Sequence, residues 1–228
     1  MGRVSRWRMG GGVYHVINRG INSSWILEVE KDRDAFLKIL AETKKAYKIN
    51  IYHYVIMSSH FHLALEALSP QEMSAYIGNA CALYSKHWHK GRGGRGTIWQ
   101  GRYKSIVVQK EQYLNRLGKY IELNPARAGI ITPPESPSEY KWSSAAAYTK
   151  GAEDPLVMPE AHPYRENWGK TKPKQQKNYA AYLLDNEQEA LEIFRSKCQI
   201  IGDEDFKRKA FSVQGRLSVR KTGRPKEI

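Results

Sequence analysis

Two histidines separated by a single residue, His60 and His62, are the sharpest candidates for chemistry in this sequence. They stand in the run His-Phe-His-Leu-Ala-Leu-Glu, whose alternation predicts a β-strand. Residues two apart on a strand point to the same face of a sheet, so both imidazoles are expected to project together. Two nitrogen donors at one place form part of a metal site, although a bare pair more often consists of surface histidines without a ligand.

Tyr120 and Asn124 form a second candidate, because a spacing of four places them on one face of the helix predicted over 110–123. A phenol can attack a phosphodiester and form a phosphotyrosine, which keeps the energy of the broken linkage for later rejoining. The attack builds negative charge, which a metal ion would neutralise, and the amide oxygen of Asn124 could complete the coordination beside the two histidines. Taken alone, Tyr120 is better explained as a ring that an amphipathic helix buries in the core.

The elements that must position these residues follow an α+β order. Ser58-Ser59 separates two strands, Ser69 and Pro70 mark the beginning of a long helix, and Asn124-Pro125 stops the last one. The predicted elements are a strand over 13–18, a helix over 31–47, strands over 49–57 and 60–66, a helix from 70 to 89, a strand over 103–109 and a helix over 110–123. This order predicts an antiparallel sheet with flanking helices in a ferredoxin-like layout.

The charge of the chain indicates the class of its partner. Lysine and arginine number 37 against 23 aspartates and glutamates, which gives a net charge of +14, and 14 tyrosines and 6 tryptophans accompany them. A positive field attracts polyanions and aromatic rings stack on unpaired bases, so we expect a nucleic acid, either DNA or RNA. The alternative is a charge that serves only solubility.

The composition also argues against several classes of protein. The sequence contains no run of about 18 apolar residues, so we expect no membrane-spanning segment. Cys81 and Cys198 are its two cysteines, and they lie in unrelated contexts, which argues against a disulfide framework or a structural zinc site. A reducing cytoplasm is therefore the default location.

Four motifs, in order along the chain, resemble those of a known family. They are Tyr-His-Val-Ile-Asn-Arg-Gly at 14–20, Tyr-Val-Ile-Met-Ser-Ser-His-Phe-His-Leu at 54–63, Trp-Gln-Gly-Arg-Tyr at 99–103 and Tyr-Ile-Glu-Leu-Asn-Pro-Ala-Arg-Ala-Gly at 120–129. Together they resemble the single-tyrosine HUH transposases, in particular their REP-associated branch. The resemblance covers residues 10–150 and implies the sheet layout of HUH nucleases.

The resemblance implies a role for each candidate residue. In that family the matching histidines, here His60 and His62, bind a divalent ion, normally Mg²⁺ or Mn²⁺, and the residue matching Asn124 joins them. The matching tyrosine, here Tyr120, forms a 5′-phosphotyrosine bond and releases a 3′-hydroxyl. The family usually has Pro-Asn where this chain has Ser58-Ser59, a departure that alters a turn and removes no ligand.

Further motif residues are candidates for contact with DNA. Arg19, Arg102 and Arg127 are expected to bind phosphates, because a guanidinium group forms paired hydrogen bonds with phosphate oxygens. Trp99 and Tyr103 are expected to stack on bases. The alternative is that Trp99 packs in the core and that the arginines are merely solvated.

The chain divides into three predicted parts. Residues 1–150 form the HUH single-tyrosine domain, residues 151–211 a helical C-terminal extension with its clearest helix over 175–196, and residues 212–228 a basic, disordered tail. Within the tail, Thr-Gly-Arg-Pro-Lys at 222–226 resembles the core of an AT-hook, although a solvated tail explains the same residues.

Three functions follow as alternatives. The first is a metal-dependent single-stranded DNA endonuclease and strand transferase that acts on hairpin DNA through Tyr120. The second is a domesticated relative that binds hairpin DNA without cutting it, and such a protein has no use for His60, His62, Tyr120 and Asn124. The third is an RNA-binding ferredoxin-like protein, in which the histidine pair has no role. The resemblance is consistent with a homodimer or a monomer, and it places the protein in the bacterial cytoplasm at the nucleoid.

Overall fold

The computed structural model describes residues 11–132, 134–185, 191, 193–194 and 200–217, with side chains as far as residue 210. Its strands are β1 (Gly12–Arg19), β2 (Ile49–Ile56), β3 (His60–Ala67), β4 (Lys104–Val108) and β5 (Ile200–Ile201). Its α-helices are α1 (Glu30–Lys44), α2 (Pro70–Arg92), α3 (Lys110–Glu122), α4 (Asn124–Arg127), α5 (Ala145–Lys150), α6 (Lys172–Leu184) and α7 (Glu204–Leu217). Short 3₁₀ helices cover Ile21–Ser23, Pro137–Glu139, Pro159–Ala161 and Arg165–Trp168.

The strands form one sheet in the order β2-β3-β1-β4-β5. The first four strands pair antiparallel, and their order with helices α1 and α2 between them is the ferredoxin-like layout. The predicted fold class, an antiparallel sheet with flanking helices, is therefore confirmed. Strand β5 pairs parallel to β4 at the edge and was not predicted, because two residues are too short to show a period.

Each face of the sheet is covered by different helices. On one face, Phe61 of β3 packs against Phe36 of α1, with ring centroids 5.0 Å apart, and Tyr84 of α2 lies 5.0 Å from Phe36. Because side chains alternate along a strand, the neighbours His60 and His62 face the other way, toward α3. The fold thus separates an aromatic core from a face that carries polar side chains.

The helix boundaries follow local signals in the sequence. Ser69 caps α2 as predicted, since its side chain accepts a hydrogen bond of 3.1 Å from the backbone N–H of Glu72. Helix α3 ends at Glu122, and after Leu123 a single turn of helix, α4, begins at Asn124 with Pro125 in its first turn.

The C-terminal part differs in detail from the prediction. Helix α6 begins at Lys172, slightly before the predicted residue 175, and most of the predicted course beyond 185 lies outside the described residues. Helix α7 continues to Leu217 and therefore includes residues 212–217, which the sequence predicted to be disordered. The AT-hook-like run at 222–226 lies outside the described residues. In the part of the chain that the structure describes, no helix is long and apolar enough to cross a membrane.

Candidate active site

The histidine pair lies where three strand ends meet. His60 begins β3 and pairs with Arg19, the last residue of β1, while His62 pairs with Ile17. Lys104, the first residue of β4, pairs with Ile17 from the other side. The two imidazoles lie on the face of the sheet that α3 covers, with ring centroids 5.1 Å apart and planes at 79°. The two-residue spacing predicted this common face.

Each imidazole uses its Nδ1 atom within the protein. His60 Nδ1 forms a hydrogen bond of 3.1 Å with the hydroxyl of Ser59, and His62 Nδ1 forms one of 2.9 Å with Nε2 of His15. Within the described ranges, no hydrogen bond engages Nε2 of either His60 or His62. Both side chains therefore keep the same nitrogen available for a ligand.

His15 determines the tautomer in which His62 could act as a ligand. His62 offers a lone pair at Nε2 only when its proton is on Nδ1, and that N–H must then donate to Nε2 of His15. His15 would accordingly carry its own proton on Nδ1. That atom is buried and has no hydrogen-bond partner among the described residues. A neighbouring group that holds the second nitrogen is a usual feature of metal-binding histidines.

Burial favours the neutral form of all three imidazoles. It lowers the pKa of His62 well below the ordinary value, and the nearby His15, His60 and Arg127 lower it further. Burial also lowers the pKa of His60, with a contribution from Arg19, and lowers the pKa of His15 to about 3. A neutral imidazole is the form that binds metal ions, so the pair is suited to that role at neutral pH.

Helix α3 brings Tyr120 against the histidines. The Tyr120 ring is half-buried and lies edge-on to His62, with centroids 5.9 Å apart, and to His15 at 5.7 Å. The guanidinium carbon of Arg127 stands 4.5 Å from the centroid of the Tyr120 ring, and Phe194 packs on the ring at 5.3 Å. The structure thus brings together the tyrosine, the histidine pair and one predicted arginine.

Asn124 is the first residue of α4, two positions after the end of α3. Its Nδ2 atom donates hydrogen bonds of 2.9 Å to the carbonyl of Tyr120 and 3.1 Å to that of Ile121, and Arg127 also donates to the Tyr120 carbonyl. Because the helix occupies the nitrogen, the amide oxygen is the atom of Asn124 left for a metal. No group of three or more His, Cys, Asp or Glu in the described residues could hold a metal ion. A metal at this site would need the two histidines and oxygen ligands such as Asn124.

A buried polar cluster anchors the helix that carries Tyr120. The Glu122 carboxylate accepts hydrogen bonds from Ser144 (2.5 Å) and Tyr179 (2.7 Å) and is bonded to His53 Nδ1 (2.8 Å). These partners come from α6, from the residue before α5 and from β2. The described residues after 132 therefore help to fix the position of α3 on the sheet. Sequence reasoning missed this cluster, because its members are distant in the chain.

Three of the predicted DNA contacts are arginines at one end of the sheet. Arg19 and Arg102 are exposed at the histidine end of the sheet, and Arg127 is half-buried over Tyr120. Arg19 is also bonded through Nε to the side chain of Gln100. All three arginines therefore lie at the same end of the sheet as the histidines.

The prediction that Trp99 and Tyr103 stack on bases is wrong for this conformation. Trp99 is only 5% exposed, and its indole N–H donates a hydrogen bond of 3.1 Å to the carbonyl of Cys81. Its ring packs among Phe36, Phe61 and Tyr84. Tyr103 is buried as well, with its hydroxyl 2.7 Å from that of Ser74. The alternative that Trp99 belongs to the core is confirmed.

His15 is the functional candidate that sequence reasoning missed. It lies within the predicted strand over 13–18, and its pairing with Ala64 of β3 places it beside His62. The register of β1 with β3 would have revealed the contact between His15 and His62. The signal for it is a histidine among the apolar residues of a central strand, which is unusual.

The fold and the site together define an α+β protein in which a histidine pair on a ferredoxin-like sheet faces a helix-borne tyrosine. The family model described as "Transposase IS200 like" matches residues 10–124, just over half of the 228 residues. The chain therefore belongs to the IS200-like transposase family. Transposases are enzymes that process DNA, and this is the class of function to which the chain belongs.

Two solved structures are similar to this chain. A REP-associated tyrosine transposase bound to a REP hairpin is 16% identical, with a TM-score of 0.54 over 69% of this chain and 92% of the other, and it shares the fold. A candidate transposase from Deinococcus radiodurans R1 is 18% identical, with a TM-score of 0.36 over 57% of this chain and 91% of the other. Comparison with curated proteins gave no match.

Proposed function

We propose that this transposase cuts and rejoins single-stranded DNA at hairpins, with Tyr120 as the nucleophile. A divalent ion, Mg²⁺ or Mn²⁺, would be held by Nε2 of His60, Nε2 of His62 and the amide oxygen of Asn124. The proposal is supported most directly by the 5.9 Å separation between the ring centroids of Tyr120 and His62. Nε2 of His62 remains available for a ligand because Nδ1 is bonded to His15. A tyrosine hydroxyl and two imidazole groups thus share one small region.

The reaction is a transfer of a phosphoryl group between two oxygens. The Tyr120 oxygen attacks phosphorus in line and loses its proton, while the bond from phosphorus to the 3′ oxygen breaks and that oxygen leaves as a hydroxyl. The product is a 5′-phosphotyrosine, and a second 3′-hydroxyl reverses the step and joins a new strand. When bound, the ion supplies Lewis-acid polarisation and neutralises charge on the scissile phosphate.

Charged side chains around the site support the proposal. Arg127 lies over the Tyr120 ring and lowers the pKa of His62, and Arg19 lowers the pKa of His60, so both guanidinium groups act electrostatically on the histidine pair. Their role would be to bind the phosphates on either side of the cut. The net charge of +14 favours DNA approach to the whole molecule.

The hairpin is the more specific part of the proposal. The similar structure with the same fold is bound to a REP hairpin, which supports DNA with a hairpin as the substrate to test first. Residues 1–150 would supply the chemistry, and residues 151–211 would support the helix of Tyr120 through Tyr179, which donates a hydrogen bond to Glu122. The alternative to this function is the binding of DNA hairpins without cleavage.

A nicking assay tests this proposal. A labelled DNA hairpin with single-stranded flanks is incubated with Mn²⁺ or Mg²⁺ and with wild type, Tyr120→Phe or Tyr113→Phe, the last a half-buried tyrosine of the same helix. We expect wild type and Tyr113→Phe to release a 3′-hydroxyl end that a polymerase extends, and EDTA or Tyr120→Phe to abolish it. Binding without cleavage under every metal condition would favour the non-cutting protein, and cleavage by Tyr120→Phe would exclude Tyr120 as the nucleophile.

A further inference from the structure

The loop that follows β1 is fixed to the turn that precedes His60. Gly20 donates a backbone hydrogen bond of 2.8 Å to the carbonyl of Ser59, and Leu27 donates one of 2.8 Å to that of Ser58. Ile26 and Leu27 are fully buried, and the Tyr84 hydroxyl bonds the carbonyl of Ile26. Both attachment points immediately precede His60, whose ring is bonded to Ser59. The loop therefore lies at the end of the sheet that carries the histidine pair.

The same loop displays apolar side chains to solvent. Trp25 is 65% exposed although the next two residues are buried, and Ile21 and Val29 are 40% and 48% exposed. These are three of the eight large hydrophobic side chains that are exposed in the described part of the chain. Single exposed hydrophobic residues are common on protein surfaces, but three within nine residues beside a candidate site indicate a partner.

The backbone keeps this display in place. Asn22 and Ser23 have φ angles of 50° and 60°, a left-handed conformation that residues other than glycine adopt only where the surroundings hold them. A Cβ atom on Gly20 would lie 2.2 Å from the carbonyl oxygen of Ser24, so the turn is as tight as glycine allows. Trp25 is thus presented by a rigid turn, which reduces the entropy that a contact with a partner would cost.

We propose that Trp25 is a stacking platform for an unpaired base of the DNA strand that enters the site, with Arg19 binding an adjacent phosphate. This inference rests on the proposed function and identifies a surface for its single-stranded substrate. The face of an indole stacks on any exposed base, whereas bases inside a duplex already stack on their neighbours. Arg19 is exposed, immediately precedes the loop and pairs with His60 across β1 and β3.

Binding without cleavage isolates this contact from the chemistry. Affinity for a fluorescent hairpin with single-stranded flanks is measured by anisotropy in EDTA, in a Tyr120→Phe background. We expect Trp25→Ala to weaken binding about 5- to 150-fold, the range for loss of one stacked base, and Trp25→Phe to keep most of the affinity. Leu68→Ala is the matched control, because Leu68 is also 65% exposed but follows the opposite end of β3.

A series of hairpins with one abasic residue at each flanking position then locates the base. At one position, we expect the abasic substitution to weaken binding to the protein that retains Trp25. The same substitution should leave the affinity of Trp25→Ala unchanged. The platform would be overturned if Trp25→Ala bound with unchanged affinity. It would also be overturned if every abasic substitution weakened binding equally in Trp25→Ala and in the protein that retains Trp25. If Trp25→Ala weakens binding while wild type forms no covalent product, the proposed reaction fails and the platform stands. If wild type forms the product and Trp25→Ala binds normally, the platform alone fails.

Discussion

His15 Nε2 lies 2.9 Å from His62 Nδ1, so a fully buried imidazole of β1 holds the inner nitrogen of a candidate metal ligand on β3. The two rings are nearly parallel, with centroids 5.1 Å apart. This relationship leaves Nε2 of His62 available for a ligand, and the Tyr120 ring lies edge-on to both imidazoles. In the proposed reaction, His15 would be a positioning residue that acts through His62.

Replacement of His15 tests this role through metal affinity. We expect His15→Leu to weaken Mn²⁺ binding about 10- to 100-fold, the usual effect of losing a residue that orients a ligand, because His62 Nδ1–H loses its acceptor. His15→Gln retains an acceptor oxygen and should bind better than His15→Leu. The measurement is an EPR titration of free Mn²⁺, with His162→Gln as a control at a buried histidine outside the site. Equal affinity in wild type and His15→Leu would contradict the assignment.

A pair of glycine substitutions tests how closely α3 approaches the sheet. A Cβ atom on Gly118 of α3 would lie 2.6 Å from the ring of His53, whereas one on Gly78 of α2 would meet nothing within 4 Å. Alanine favours helix by about 1 kcal/mol over glycine. We expect Gly78→Ala to stabilise the protein by about 0.5–1 kcal/mol, and Gly118→Ala to destabilise it by about 1–3 kcal/mol, because overpacking outweighs propensity. Urea denaturation measures both, and a stabilised Gly118→Ala would show that α3 can move away from β2.

The pH dependence of stability should report the buried His162. Burial, and then His53 and Lys110, lower the pKa of His162 to about 2 from an ordinary value of 6.5. Unfolding therefore takes up a proton below about pH 6.5, so stability is unaffected by this group above that pH and falls as the pH decreases below it. The slope reaches about 1.4 kcal/mol per pH unit. We expect His162→Gln to lower the slope of unfolding free energy between about pH 6 and 5 by that amount. An unchanged slope would show that His162 is not neutral in the folded protein.

Local periodicity predicted much of the site. A spacing of two placed His60 and His62 on one face of a strand, and a spacing of four placed Asn124 one helical turn beyond Tyr120. The fold class followed in the same way, since the order of strands and helices limits the number of ways to pair them. These features depend on residues that are near each other in the chain.

The features that sequence reasoning missed depend on residues distant in the chain. An aromatic ring faces the core or the solvent according to tertiary packing, and Trp99 is buried while Trp25 is exposed. The contact between His15 and His62 requires the register of β1 with β3, and Glu122 finds its partners on three separate segments. Composition and spacing carry no information on such contacts.

The proposed reaction requires a covalent bond between Tyr120 and the 5′ phosphate of cut DNA. We would incubate wild type with the labelled hairpin and Mn²⁺, isolate the protein–DNA adduct, digest both components and identify the modified peptide by mass spectrometry. We expect a nucleotide phosphate on Tyr120, which is absent with EDTA and in Tyr120→Phe and is still formed in Tyr113→Phe. A modified residue other than Tyr120, or cleavage without any adduct, would contradict it.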